Sequence, residues 1–184
     1  MRYLFYVLLI VFMFVSCGEE TIPKPKGQLR LEYPEATYGL LKGSCPFSFS
    51  VNDKVKVKAK EVCSFELHYP KMKATVYLTY KPVVDNNIDD LLKDAQKLTY
   101  DHVIKADDIL EQPYINKQKK VYGMFYEVGG NAATNAQFYV TDSTKNFVVG
   151  SLYFYAKPNY DSILPAADYV KNDIRKIMET IVWE

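Results

Sequence analysis

The stretch that decides the fold is Val55-Lys56-Val57-Lys58-Ala59-Lys60-Glu61-Val62-Cys63-Ser64-Phe65-Glu66-Leu67-His68-Tyr69. Val55, Val57, Ala59, Cys63, Phe65, Leu67 and Tyr69 share one parity. Lys56, Lys58, Lys60, Ser64, Glu66 and His68 share the other, with Glu61 the one break. A period of two, apolar against polar, describes a strand of an antiparallel sheet with one face buried and one wet. One long strand is therefore expected over 55–69. Upstream, Asn52-Asp53-Lys54 is a turn cluster that separates this run from Phe47, Phe49 and Val51. A hairpin centred on Lys54 sets Cys45 opposite Cys63, because directly opposed residues in an antiparallel pair lie within disulfide reach.

Working outward, Leu29 to Tyr33 alternates and reads as a strand, and Ala74 to Tyr80 reads as another. Helix chemistry follows. Asn87 with Asp90 resembles a capping box, and Ile88, Leu91, Leu92, Ala95, Leu98 and His102 keep a 3.6-residue period, so a helix is expected from Ile88 to Lys105. Strands resume at 109–115, 120–128, 136–141 and 147–155, with turns at Gly129-Gly130-Asn131 and Asp142-Ser143-Thr144-Lys145. The C-terminal segment is helical: Asp161 or Ser162 caps it, Pro165 fits its first turn, and Ile163, Ala167, Val170, Ile174, Ile177 and Ile181 form one stripe. Strands, a helix, a four-strand meander and a helix close as an α+β fold, an antiparallel sheet with two helices packed on it. This element order resembles the PsbP/Mog1-like layer architecture, an analogy that carries no function.

The chain has 184 residues, with 23 Lys and Arg against 22 Asp and Glu. That length suits one domain. The charge balance argues against a nucleic-acid partner, which calls for a basic surface. Tyr is frequent, at 16 residues.

The N-terminus reads as an address. Arg2 precedes an apolar run from Tyr3 to Val15, too short for a membrane span of about 20 residues. Phe14-Val15-Ser16-Cys17 resembles a bacterial lipobox, with Phe14 where Leu is usual. The expected division is a signal peptide over 1–16, a lipid-bearing Cys17 with an extended Pro-containing tether to Gly27, and a single domain over 28–184. In an exported protein the remaining pair, Cys45 and Cys63, is expected to be oxidised.

Catalytic and metal motifs are hard to find. His68 and His102 are isolated from each other and from Cys. Asp85, Asn87 and Asp89 begin a calcium-loop spacing that fails at Asp90 and Gln96, where Gly and Glu are required. The Gly129–Ala136 segment lacks the Gly-Lys-Ser/Thr of a phosphate loop and joins two strands. No cofactor and no metal site is expected. Tyr122, Tyr126, Tyr139, Tyr153 and Tyr155 recur on the meander, and Phe125 and Phe154 take the opposite parity. A face left uncovered by helices therefore presents tyrosines, as protein interfaces do.

Four runs carry a longer resemblance: 23–34, 97–113, 122–145 and 157–169. They include Tyr-Gly-Met-Phe-Tyr-Glu-Val-Gly-Gly-Asn-Ala-Ala-Thr-Asn at 122–135 and Lys-Pro-Asn-Tyr-Asp-Ser-Ile-Leu-Pro-Ala-Ala-Asp-Tyr at 157–169. With Cys17, they resemble the gliding-motility lipoprotein GldD family. The resemblance implies a lipoprotein required for surface gliding and linked to type IX protein secretion, held on the periplasmic side of a membrane by its lipid. Its expected partners are other gliding and secretion proteins. The only residue role it carries over is lipidation of Cys17. Three readings of function follow. One is a non-enzymatic accessory that contacts a partner through Gly129, Gly130, Asn131, Tyr153 and Tyr155. The second is a binder of a small ligand or glycan in an aromatic cleft. The third is a hydrolase using acids such as Asp107, Asp108 and Glu127.

Overall fold

The computed structural model describes residues 31–101, 106–130, 132, 134–155 and 160–184. Ten strands are formed: β1 (Tyr38–Leu41), β2 (Phe47–Asn52), β3 (Lys56–Ala59), β4 (Phe65–Tyr69), β5 (Ala74–Pro82), β6 (Ala106–Asn116), β7 (Val121–Gly130), β8 (Thr134–Thr141), β9 (Asn146–Phe154) and β10 (Val182–Trp183). The helices are α1 (Ile88–Tyr100) and α2 (Tyr160–Thr180). A seven-stranded sheet runs in the order β3-β4-β5-β9-β8-β7-β6, and a three-stranded sheet in the order β1-β2-β10. Every pairing is antiparallel. The expected α+β class is the observed one.

The large sheet is covered unequally. One face carries Leu67, Val76, Leu78, Phe125, Phe138, Val140 and Leu152, packed against Val170, Ile174, Ile177 and Ile181 of α2 and against Phe47 and Phe49 of β2. Each such buried side chain contributes roughly 1.5–3 kcal/mol of transfer free energy. Gly150 makes room within this layer. It pairs with Phe138 across the strands, and a Cβ there would overlap the Phe138 ring. On the other face Leu91 and Ala95 of α1 pack on Phe147, with Tyr139 and Val149 beside them. Gln137 reaches up from the sheet and donates to the Ala95 carbonyl at 2.7 Å.

The decisive stretch is not one strand. It breaks at Lys60–Ser64 into β3 and β4, which pair with each other, Lys56 with His68 and Ala59 with Phe65. The hairpin is therefore centred near Val62 and not on Lys54. Val62 and Cys63 both take positive φ, 52° and 57°, a conformation that costs L-residues roughly 1–2 kcal/mol each. The alternation hides this turn, because parity resumes unchanged beyond it.

The Asn52-Asp53-Lys54 turn does form, with Asn52 Oδ1 accepting from the Lys54 N–H at 3.0 Å. It joins strands of two different sheets, since β2 pairs with β1 and β10. Cys45 and Cys63 are nonetheless bonded, with Cα atoms 5.4 Å apart. The bond ties the small sheet to the β3–β4 turn. Beside it Phe65 meets Phe47 and Phe49 edge-on, at 6.2 and 5.8 Å between ring centroids.

Other expectations move by smaller amounts. Helix α1 starts at Ile88 as expected and ends at Tyr100, short of Lys105. Asn87 makes no forward cap; its side chain accepts from the Val84 N–H and closes the preceding turn. Helix α2 starts at Tyr160, so Asp161 and Ser162 lie inside it, and Pro165 sits beyond the first turn. Residues 31–33 form no strand; Leu29 lies outside the described residues. Strands β1 and β10 are additions.

The 142–145 turn forms as expected around Asp142. Partial burial opposes its ionisation. Backbone N–H groups of Lys145, Asn146 and Thr144, with the Asn146 side chain, outweigh that and hold its carboxyl below the usual range.

Two predictions follow from this architecture. Replacing Cys45 and Cys63 by Ser lowers stability by about 3 kcal/mol, from loop-closure entropy over their 18-residue separation, read as a drop in the urea midpoint. Asp142→Ala costs about 1 kcal/mol at neutral pH, since the turn is half-open to water. Because the folded carboxyl titrates low, this stabilisation is complete above the unfolded value near about 4 and is lost as pH falls through the folded one. The gap between wild type and variant should narrow over that acid range in pH-resolved melts.

Candidate functional site

The part of the sheet that no described helix covers is aromatic. Strand β5 alternates Val76 and Leu78 inward with Thr75 and Tyr77 outward. Strand β9 alternates Leu152 and Phe154 toward the core with Tyr153 outward. Register brings Thr75 opposite Tyr153 and Tyr77 opposite Ser151. The Tyr77 and Tyr153 rings meet edge-on at 5.7 Å, and the Tyr77 and Tyr155 hydroxyls share a short hydrogen bond. That bond, more than burial, pushes the Tyr77 hydroxyl up to about 12. Tyr155 is 60% exposed. Phe154 joins the three tyrosines in lining a shallow depression. Helix α1 lies over Phe147 and Val149, toward the opposite end of β9.

The same face continues into polar strands. Glu66 lies between Lys60, at 2.9 Å, and the His68 ring. His68 Nε2 is 3.0 Å from Glu66 and Nδ1 is 3.0 Å from Thr75 Oγ1. In the neutral tautomer with its proton on Nε2, the ring donates to Glu66 and accepts from Thr75 at Nδ1. The hydrogen bond from Lys60 is the largest cause holding the Glu66 carboxyl low. His68 is thus occupied in a surface network.

Beneath the other face is a buried carboxylate. Asp173 is 2% exposed. It accepts from Tyr38 Oη at 2.6 Å, Asn52 Nδ2 at 2.8 Å and Tyr69 Oη at 3.0 Å. Burial first, and then the Asp173 charge, keep the Tyr38 and Tyr69 hydroxyls far above their ordinary range and so protonated as donors. Asn52 also donates to Tyr169 Oη at 2.9 Å. Tyr69 and Tyr169 form walls of a pocket of about 300 Å³ that Tyr33, Pro34, Pro70 and Met72 complete, with Lys54, Lys56 and Lys71 around it.

Cys17, Asn131 and His102 lie outside the described residues. Gly129 is half-buried and Gly130 buried, the latter at φ +85°. Asp107 and Asp108 form a bulge opposite them and occupy the space that Cβ atoms would need. Glu127 is paired with Arg175 and, at 3.3 Å, with the buried Lys171. The three acids therefore serve a bulge and an ion-pair cluster. Asp85 lies in a left-handed turn before α1 with Asn86. Among the described residues no three His, Cys, Asp or Glu side chains are grouped to hold a metal ion.

Tyr153 and Tyr155 do come together, with Tyr77 between them. Tyr77 was legible as an outward residue of its strand, but its neighbours depend on the β5–β9 pairing. Asp173 stands out in sequence only as an acid beside the stripe of α2. The pocket draws on residues too far apart to be grouped by spacing.

Tyr77, Tyr153 and Tyr155 thus form an aromatic patch on the sheet face that α1 leaves free among the described residues. The chain belongs to the gliding motility lipoprotein GldD family, whose family model matches residues 18–183. A comparison with curated proteins found no match. Family membership makes this a membrane-associated lipoprotein of gliding motility.

Asp173→Ala should cost about 3 kcal/mol or more, because Tyr38, Asn52 and Tyr69 lose a buried acceptor together. Asp173→Asn keeps one acceptor oxygen and should cost less. Urea unfolding of the two variants checks both the size and the order of the effects.

Proposed function

We propose that the protein is a non-enzymatic lipoprotein, anchored through a lipid on Cys17 to the periplasmic side of a membrane, that serves gliding motility and the type IX secretion apparatus by docking a protein partner. The observation that carries this reading is the open face of Tyr77, Tyr153 and Tyr155. Tyrosines supply large, amphipathic contact area and are enriched where proteins meet. Three of them, locked by ring contact and a hydroxyl bond, lose little side-chain freedom on binding. Gly129, Gly130 and Asn131 stay in the proposal as a secondary contact, although Gly129 and Gly130 form the end of β7 and not the expected turn. The polar tether expected over Gly18–Gly27 gives the domain about 30 Å of reach from the lipid.

Replacing Tyr77, Tyr153 and Tyr155 by Ser tests the reading. Loss of hot-spot side chains of about 2 kcal/mol weakens a complex roughly 30-fold each. The triple variant is expected to abolish spreading on agar and secretion, and to lose partners in cross-linked purification from the envelope, while its abundance and membrane fractionation match wild type. Normal gliding and secretion by a folded triple variant removes this face from the mechanism.

A further inference from the structure

We propose that the pocket at the chain's entry into the domain binds the phosphate headgroup of an anionic bilayer lipid, so that this end of the domain rests on the membrane. The inference builds on the lipid anchorage proposed above and adds a second, non-covalent contact.

The rim supplies the charge. Lys54, Lys56 and Lys71 line the pocket, are exposed, and have no carboxylate within ion-pair distance among the described residues. Lys58, Lys60, Lys81, Lys93 and Lys171 are all paired. Lys54, Lys56 and Lys71 thus place three lysines without an ion pair around one apolar pocket. Glu32 and Glu35 flank Tyr33 and Pro34 in sequence, yet neither lines the pocket.

The walls supply the interface chemistry. Tyr33, Tyr69 and Tyr169 with Pro34, Pro70 and Met72 present apolar bodies and phenolic tips, the combination that settles at the level of lipid headgroups. Tyr33 packs on Tyr169 at 5.4 Å between ring centroids, and Tyr169 is held by Asn52, so the walls are preformed. Flexible lysine stems over such walls reach a phosphate while their methylenes stay on apolar surface.

The tether supplies proximity. Tyr33 and Pro34, part of the pocket wall, follow Cys17 by 16 and 17 residues. Even fully extended, that length spans at most about 60 Å. A lipid on Cys17 therefore tethers this pocket to within about 60 Å of headgroups, which raises their effective concentration there.

The test uses the mature lipidated protein in three preparations: phosphatidylcholine vesicles, the same vesicles with soluble glycerol phosphate, and vesicles containing phosphatidylglycerol. Brief amine labelling is read lysine by lysine by mass spectrometry. The expected result is labelling of Lys54, Lys56 and Lys71 slowed at least about fivefold only with phosphatidylglycerol, while Lys97 and Lys117 stay unchanged. Equal slowing with glycerol phosphate overturns membrane docking in favour of a soluble anion site. Slowing of all five lysines, or of none, overturns the pocket as a headgroup site. Flotation with phosphatidylcholine alone reports the Cys17 anchor separately. A protein that floats only with phosphatidylglycerol sinks the anchor reading and leaves the pocket standing.

Discussion

One buried carboxylate holds the covered side of this molecule in place. Asp173 sits on α2 among Val170, Ile174 and Ile177 and accepts from β1, β2 and β4 through Tyr38, Asn52 and Tyr69. Taking an ion out of water is costly, and here three donors offset the loss in place of a counter-charge. Helix α2 cannot turn about its axis without stranding that ion. Its rotation is therefore set, and with it the seating of Ile174, Ile177 and Ile181 on the sheet. The same constraint places Tyr169, four residues before Asp173 on the helix, against Tyr33. The core and the pocket share one determinant.

The open face has a different cause, which is size. A helix of 13 residues is about 20 Å long and about 10 Å wide. Seven strands at about 4.8 Å span more than 30 Å, and nine-residue strands such as β5 and β9 run about 30 Å. Helix α1 can shelter only part of that area, and it takes the end with Phe147 and Val149. The residues beyond its reach are Tyr77, Tyr153 and Tyr155, whose hydroxyls satisfy one another or meet water. Aromatic residues that tolerate both environments are what such a boundary selects.

Much of the fold was legible because period two survives in isolated segments. Strands β5 to β9 follow their alternation to within a few residues, and α1 begins where its apolar period begins. The β3–β4 break was invisible because the turn at Lys60–Ser64 restores parity, so a hairpin imitates a single strand. The disulfide was expected across a ladder that does not exist. It forms because β2 packs over β4 through Phe47, Phe49 and Phe65, not because the two are hydrogen-bonded neighbours. Strands β1 and β10 are too short, at four and two residues, to show a pattern. Tyr153 and Tyr155 could be read from one strand. Asp173 and the lysine-rimmed pocket depend on contacts over more than a hundred residues, which no local period encodes.

The two proposed contacts are neighbours. Lys56, Tyr69 and Pro70 line both the entry pocket and an adjoining groove, and that groove ends at Tyr155. With the pocket on headgroups, the tyrosine face lies at the rim of the bilayer. A membrane-embedded partner would then be met in two dimensions, with its orientation already restricted before contact. Part of the orientational cost of association is thereby taken up by the anchor and the lysines. A modest patch of three tyrosines becomes sufficient for a complex that the same patch, on a freely diffusing domain, would hold only weakly.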